Sequence, residues 1–571
     1  MKLGRWITRT RLVSKPPFIL NAQALYERAQ ASLECGDWAL AVEGFLKASE
    51  IVRSWADPCR QLGELAVRLR QPDEAVMWFV EGLRRSPEDI RLHHSYLAAL
   101  LLSDPAHCER LLDVSQGKLP VVPIGHDAVW RKKLTTAFPQ PRLHPASGCH
   151  EQIPRGIEIG AVVRTLEVFT RSWSYDNDRD GVRTVQEAIH QWRMQIADER
   201  GSHRLQLDPE WISNIGQLAF MGVIAKFGRL GLLQDHSPLL PPVASGPAAN
   251  MAMLEYWSDL FTSPPLAQPS ANALEPMVQV CNYLKLTDGR SLLLYEEAAP
   301  LAEQLWAQHG LPPILQTRAE HLSRGRECLE QLGVPKEAWF VTMHVRDQGF
   351  YGKGCDPGRC ADILTYLPSV RMIHEQGGWV VRIGDVGMKP LPACPGLVDY
   401  PHSAHKSPWM DVFLMSQCRF FIGTNSGPAF VPPLFGVPCL YTNWFPFSLC
   451  PFIAGNLLIP KLYWNESEHR HLTFAEMIQM PLWLSFHLKS LKRRGLALQD
   501  NTPEEIQAAV TQMLQKVQGT SLVNQDDELR QKRLADIASA YPWAWSLRLG
   551  KDFLEAHELL LEAPPTRGAS A

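Results

Sequence analysis

No apolar run in this 571-residue chain approaches the roughly 18 residues that span a bilayer, so no transmembrane segment is expected. The opening stretch, MKLGRWITRTRLVSKPPFIL, is basic but lacks the apolar segment of a secretory signal. A cytoplasmic location is therefore the expectation. An excess of positive charge is missing too: 57 Lys and Arg stand against 60 Asp and Glu, a formal net charge of -3. Without a basic field, nucleic acid is not an expected partner. The 12 cysteines include no CxxC pair, the tightest spacing being Cys355 to Cys360. A chain of this length needs no disulfide staples, and the cysteines read as reduced thiols. What is present is 45% hydrophobic content, enough for several cores. At about 100–200 residues per domain, three or four domains are expected.

Residues 21–87 repeat with a period of 34. Ala29, Gly36, Ala41, Phe45 and Ala48 are followed one period later by Gly63, Arg70, Ala75, Phe79 and Gly82, and Pro87 closes the second unit. Small residues at helix crossings with a large aromatic between them resemble the tetratricopeptide repeat, in which two helices of each unit pack closely and stack on the next. Arg70 and the missing terminal proline of the first unit depart from that pattern. An unrelated helical bundle is the alternative reading. Either way, this segment offers a binding face for a protein partner and no chemistry.

The stretches GKLPVVPIG and FPQPRLHPASG, rich in proline and glycine, mark a linker. Beyond them, DNDRDGVRTVQE places Asp176, Asp178, Asp180, Gly181 and Glu187 at the spacing of a calcium loop. Arg183 stands where such loops carry an apolar residue, and no second hand is visible, so a solvated acidic turn is the competing reading.

From about residue 203, short apolar runs alternate with helical segments, the pattern of an α/β architecture with parallel strands. In WISNIGQLAFMGVIAKFGRLGLL, residues Ile215, Leu218, Ala219, Ile224 and Phe227 share one helical face. The entry at Asn214, Ile215 and Gly216 lies against a substrate or is an ordinary helix start. Further on, strands are expected at WFVTMHV, WVVRI, LVDY, RFFIG and PCLYT, with helices at ADILTYLPSVRMIHEQ and SPWMDVFLMSQ and a short one from Pro428. Each strand is followed by polar residues: Arg346 and Asp347, Gly384 and Asp385, His402 and Ser403, Thr424, Asn425 and Ser426, and Asn443. In an open parallel sheet, ligands bind beyond the carboxyl ends of the strands. The strand that stops at Gly423 in Gly-Thr-Asn-Ser-Gly would present the amides of Asn425, Ser426 and Gly427 at a helix start, where an anion such as phosphate is favoured. Arg346 would add a guanidinium fork suited to a diphosphate. The alternatives are a tight turn, and a salt bridge from Arg346 to Asp347 or Asp385.

The segments HVRDQGFY, GGWVVRIGD, MKPLP, KSPWMDVFL and CRFFIGTNSG resemble a family of bacterial glycosyltransferases over roughly residues 200–450, with a further match at LGKDFLEAHELLL. At greater distance, HVR and the loop at Ser426 are similar to the donor site of GDP-fucose-using transferases, in which an arginine after a strand and a serine at a helix start hold the diphosphate. That resemblance implies a GT-B fold of two Rossmann-like domains with no obligatory metal and no bound cofactor. A helical array ahead of such an enzyme is similar to the organisation of protein O-GlcNAc transferases.

The expected fold is thus α/β, a GT-B-like pair of Rossmann-like domains preceded by an all-α tetratricopeptide-type array. The expected divisions are repeats over 20–115, a linker and helical segment over 116–200, an acceptor-side domain over 201–335, a nucleotide-sugar domain over 336–520 and a C-terminal helical tail over 521–571. The resemblance implies transfer of a sugar from a nucleotide-sugar donor to a glycan, protein or cell-envelope acceptor. Arg346 would serve the departing diphosphate and Asp347, or Asp356, the acceptor as base, though Asp347 can equally cap a turn. His344, Asp385, Ser403, Thr424, Asn425, Ser426 and Gly427 are the donor-binding candidates. A catalytically silent module with a recruiting array, or a sugar-nucleotide epimerase, are the competing functions.

Overall fold

The computed structural model describes residues 17–34, 37–103, 165, 169, 206–207, 210–233, 248–261, 278–279, 283–347, 357–447, 455–479, 491–492, 494–521, 524–539 and 548–562. The acidic loop at 176–187, Asp356 and the linker expected after residue 115 lie outside these. The chain divides into two compact units, residues 1–174 and 175–571.

In the first unit, five helices follow one another: α1 (Pro17–Glu34), α2 (Trp38–Ile51), α3 (Asp57–Arg68), α4 (Pro72–Arg85) and α5 (Ile90–Ser103). α2 begins at Trp38 and α4 at Pro72, one 34-residue period apart. Each start has a local cause: Asp37 caps α2 by accepting from the Leu40 amide at 3.1 Å, and α4 opens on proline, whose missing N–H costs nothing there. The small residues sit where helices touch. A Cβ on Gly63 would lie 2.5 Å from the Phe79 ring, and one on Gly44 would lie 2.7 Å from Ala29 Cβ. Arg70, which occupies the position of Gly36 in the preceding period, has φ of 60°. A left-handed residue there closes the turn between α3 and α4. Arg85 ties the two hairpins together by donating to the carbonyls of Ser49 and Trp55.

The second unit is built on a six-stranded sheet. Its strands are β1 (Trp339–His344), β2 (Gly378–Arg382), β3 (Leu397–Asp399), β4 (Phe421–Gly423), β5 (Cys439–Trp444) and β6 (Leu457–Pro460). All pair in parallel in the order β3-β2-β1-β4-β5-β6. This order reverses direction between β1 and β4, the topological switch point of a doubly wound sheet. Buried, nearly continuous apolar strands are what a sheet covered on both faces requires. Around it lie α6 (Ile215–Arg229), α7 (Met251–Trp257), α8 (Ala299–Gln308), α9 (Ala319–Gln331), α10 (Leu367–Glu375), α11 (Pro408–Gln417) and α12 (Pro503–Val517). Gly325 of α9 lets Phe413 of α11 approach so closely that a Cβ would lie 2.4 Å from its ring.

Five of the six strands coincide with those expected. The short helix expected from Pro428 is instead two 3-10 turns, Gly427–Phe430 and Pro432–Phe435, because three prolines in this stretch remove amide donors an α-helix needs. Among the described residues of the 201–335 segment, the strands are a parallel pair, Gln206–Leu207 with Val278–Gln279, and a hairpin, Tyr283–Lys285 with Ser291–Leu293. The C-terminal helices α13 (Gln525–Ala538) and α14 (Lys551–Ala556) are less a tail than part of the core, with Leu534, Leu549 and Leu554 fully buried. Residues 548–550 run beside β6, Leu458 donating to the Arg548 carbonyl at 3.1 Å and Gly550 donating to that of Leu458 at 2.9 Å.

Candidate functional site

β1 and β4 end side by side, and their exits are joined by hydrogen bonds. The Thr424 amide donates to the His344 carbonyl at 3.1 Å, and the Arg346 amide donates to Thr424 Oγ1 at 3.0 Å. The Asn425 side chain donates to the Phe445 carbonyl at 2.8 Å, fixing the turn to the end of β5. Ser426 Oγ stands 2.9 Å from Nδ1 of His344 and 3.2 Å from the Thr424 carbonyl. His344, Arg346, Thr424, Asn425 and Ser426 are all buried. Five of the expected site residues therefore meet at the switch point.

Gly427 has a different neighbour from the expected one. A Cβ there would lie 2.6 Å from Ile215 Cγ2 and 2.9 Å from the Gly216 nitrogen, so the start of α6 occupies the space reserved for a ligand in the sequence reading. Asn214 caps that start, accepting from the Gly216 amide at 2.8 Å. A four-residue 3-10 turn also carries little of the dipole of a full helix. Attraction for an anion at this turn must come chiefly from side chains.

Three cations bear on His344, two of them already paired with carboxylates. Arg346 follows β1, Arg382 ends β2, and Lys406 lies in the loop between β3 and α11. Burial first, and then the charges of Arg346, Arg382 and Lys406, pull the His344 imidazole down to about 3. Arg382 is fully buried; its Nη1 donates to Asp399 Oδ1 at 2.8 Å and to the Lys389 carbonyl at 2.9 Å, and its Nη2 is 3.6 Å from Asp347 Oδ2. Lys406 bonds both oxygens of Asp411 and lies 5.3 Å over the Tyr400 ring. Burial pushes the Asp411 carboxyl up, and Lys406 opposes it. A charged residue inside the apolar run WVVRI was the available signal for Arg382, since a buried guanidinium demands acceptors nearby.

The remaining expected residues have local work. Asp347 Oδ2 accepts from the Lys389 amide at 3.1 Å and sits beside Arg382, an anchor for the loop after β2. Asp385 accepts from the Gly387 amide at 2.8 Å, closing its own turn. The Ser403 hydroxyl is buried without a hydrogen-bond partner, while the neighbouring His402 is exposed. Asn443, fully buried with φ of 48°, exchanges hydrogen bonds with Asn501, the Asn443 amide donating to Asn501 Oδ1 at 2.5 Å and the Asn501 amide to Asn443 Oδ1 at 2.7 Å. It is a structural joint rather than a rim contact.

A serine within hydrogen-bond reach of a histidine raises the question of a nucleophile and its base. The pair is ill suited to that role. An imidazole whose proton affinity burial and nearby cations have lowered is a poor acceptor for a hydroxyl proton, and among the described residues no carboxylate is hydrogen-bonded to it to support a base.

No protein-family model and no curated protein matches the chain. Among solved structures, the chain is similar to a glycosyl transferase of family 9 from Veillonella parvula, with 14% identity and a TM-score of 0.26 over 38% of this chain. The match spans 60% of that protein's length, less than two thirds of it. A likeness at this level carries nothing to individual residues, and the functional reading rests on the geometry of the switch point itself.

Proposed function

We propose that residues 175–571 are a GT-B-like glycosyltransferase that moves a sugar from a nucleotide-sugar donor to a glycan, protein or cell-envelope acceptor. The array at the front, read as tetratricopeptide-type repeats, recruits the acceptor or a protein partner. One observation carries the reading: Arg346, Thr424, Asn425 and Ser426 meet, buried and hydrogen-bonded, at the exits of β1 and β4, the switch point of a doubly wound sheet. An arginine and a serine turn where such sheets hold their ligands suit a diphosphate. In transfer, the acceptor hydroxyl attacks the anomeric carbon and the bond to the diphosphate breaks, its electron pair going to the phosphate oxygen. Arg346 stabilises the charge that develops there.

Thermal stabilisation by UDP, GDP, CMP and their sugars tests this, because a ligand at 100 times its Kd adds about 2.7 kcal/mol. A raised melting temperature with one nucleotide diphosphate family is the expected result. Indifference to every nucleotide would remove the reading. A second reading, a nucleotide-binding module without catalysis, is favoured by the anchoring of Asp347 to Lys389 and Arg382. Incubation of the stabilising donor with and without candidate acceptors separates the two, since a silent module releases no free nucleotide.

A further inference from the structure

β1 and β4 pair in parallel, with Thr342 opposite Phe421 and His344 opposite Gly423. In such a ladder the bonds are evenly spaced, and each strand takes part through every second residue. The Thr342 amide donates to the Phe420 carbonyl at 3.4 Å, and the Thr424 amide donates to the His344 carbonyl at 3.1 Å. One step further, that spacing has the Arg346 amide donate to the Thr424 carbonyl. The protein departs from the pattern there. The Arg346 amide donates to Thr424 Oγ1 at 3.0 Å, and the Thr424 carbonyl instead accepts from Ser426 Oγ at 3.2 Å.

A side-chain hydroxyl has thus replaced the backbone at the last rung of the ladder. The exchange lets β4 turn out of the sheet into Asn425 and Ser426 while the amide of buried Arg346 keeps an acceptor. It also ties the place of Arg346 to one side chain. Thr424 grips the exit of β1 twice, by its amide at His344 and by its hydroxyl at Arg346. It is itself fully buried, so it acts on a ligand through the residues it holds.

We propose that Thr424 is the positioning residue for Arg346: its hydroxyl, taking the part of its own carbonyl, sets where the guanidinium meets the diphosphate. This rests on the nucleotide-diphosphate reading above. Removing the oxygen strands the Arg346 amide and shifts the backbone that carries the arginine. A displacement of about 1 Å can cost a positioned group on the order of a hundredfold.

Thr424→Ser and Thr424→Ala both lose the γ-methyl and differ only in the hydroxyl, so comparing them separates the hydrogen bond from packing. Calorimetric titration of the full chain reads the affinity, with UDP-glucose, UDP-N-acetylglucosamine, GDP-mannose and GDP-fucose as probes. With whichever probe binds the wild type, Thr424→Ala should bind roughly 10–100-fold more weakly than Thr424→Ser. In an Arg346→Ala background the difference between the two should vanish, because the group being positioned is gone. Equal affinity of Thr424→Ser and Thr424→Ala overturns this proposal alone. So does a difference that persists without Arg346, which would give the hydroxyl a task other than holding the arginine. Should Thr424→Ala fail to fold, Thr424→Val, which keeps the shape and lacks the oxygen, is compared with the wild type under the same two criteria. No heat from any probe with the wild type overturns the nucleotide reading and this inference together.

Discussion

Gly427 and Gly216 meet backbone to backbone, so that a methyl group on the first would lie 2.9 Å from the amide nitrogen of the second. The close approach joins the turn after β4 to the first turn of α6. Glycine is needed here by the protein's own packing, whatever else the turn binds.

Gly427→Ala should therefore destabilise the second unit by about 1–3 kcal/mol, the usual cost of overpacking. Denaturant titration with and without a stabilising nucleotide checks it. A variant that melts like wild type and loses only nucleotide affinity would show that ligand, and not α6, sets the requirement.

Arg346→Ala should weaken nucleotide-diphosphate binding by about 1.5–3 kcal/mol per charge-assisted hydrogen bond lost, and Ser426→Ala by about 0.5–1.5 kcal/mol. The order of the two is the diagnostic quantity in an affinity measurement. Arg346→Ala that binds as wild type, or that merely unfolds the chain, assigns the arginine a structural task.

Arg382→Met leaves Asp347 and Asp399 facing a buried apolar side chain where a cation had been. Breaking a buried ion network from one side costs about 3–5 kcal/mol, and the partial exposure of the two carboxylates places the expectation at the lower end. The denaturation midpoint reports it. An unchanged midpoint would mean that the Lys389–Leu391 segment is held by other contacts.

His344 also predicts a pH dependence of stability. Its folded value of about 3 lies below the ordinary 6.5, so between those values the unfolded chain binds the extra proton. Stability is complete above about pH 6.5 and is lost progressively as the pH falls toward 3, by roughly 1.4 kcal/mol per unit at most from this group. His344→Gln should flatten that limb of the profile. If the acid limb is the same in both proteins, other groups govern it.

Deleting residues 1–174 should leave the rest folded and able to bind nucleotide, because stacked helical repeats depend mainly on their neighbours. Conversely, Gly63→Val should unfold the array through Phe79 while sparing nucleotide binding. Loss of nucleotide affinity in either protein would contradict the division.

Five strands of the sheet are legible in sequence because each is a mostly apolar run closed by a polar break. β6 is less legible because it ends in proline, which reads as a strand breaker. The two- and three-residue strands of the 206–293 region carry no periodic signal at all. At the site, His344, Arg346 and the Thr424–Ser426 turn follow from their place after strands. Asn443 occupies an equivalent place, yet it is buried against Asn501, 58 residues onward in the chain. Linear pattern cannot tell a rim residue from one covered by a distant loop. Arg382 and Lys406 enter through neighbours apart in sequence: Asp399, 17 positions beyond Arg382, and a histidine on another strand for both.

The parallel bridge between Leu549 and Leu458 bears on how the chain is made. An edge strand left without a neighbour is a template for pairing with other chains. During synthesis, β6 exists for roughly ninety residues of growth before the segment that covers it emerges, and at about 5–20 residues per second that exposure lasts several seconds. The second unit thus carries its own aggregation hazard for a defined interval, and a ribosome stalled between residues 460 and 548 would hold it in that state.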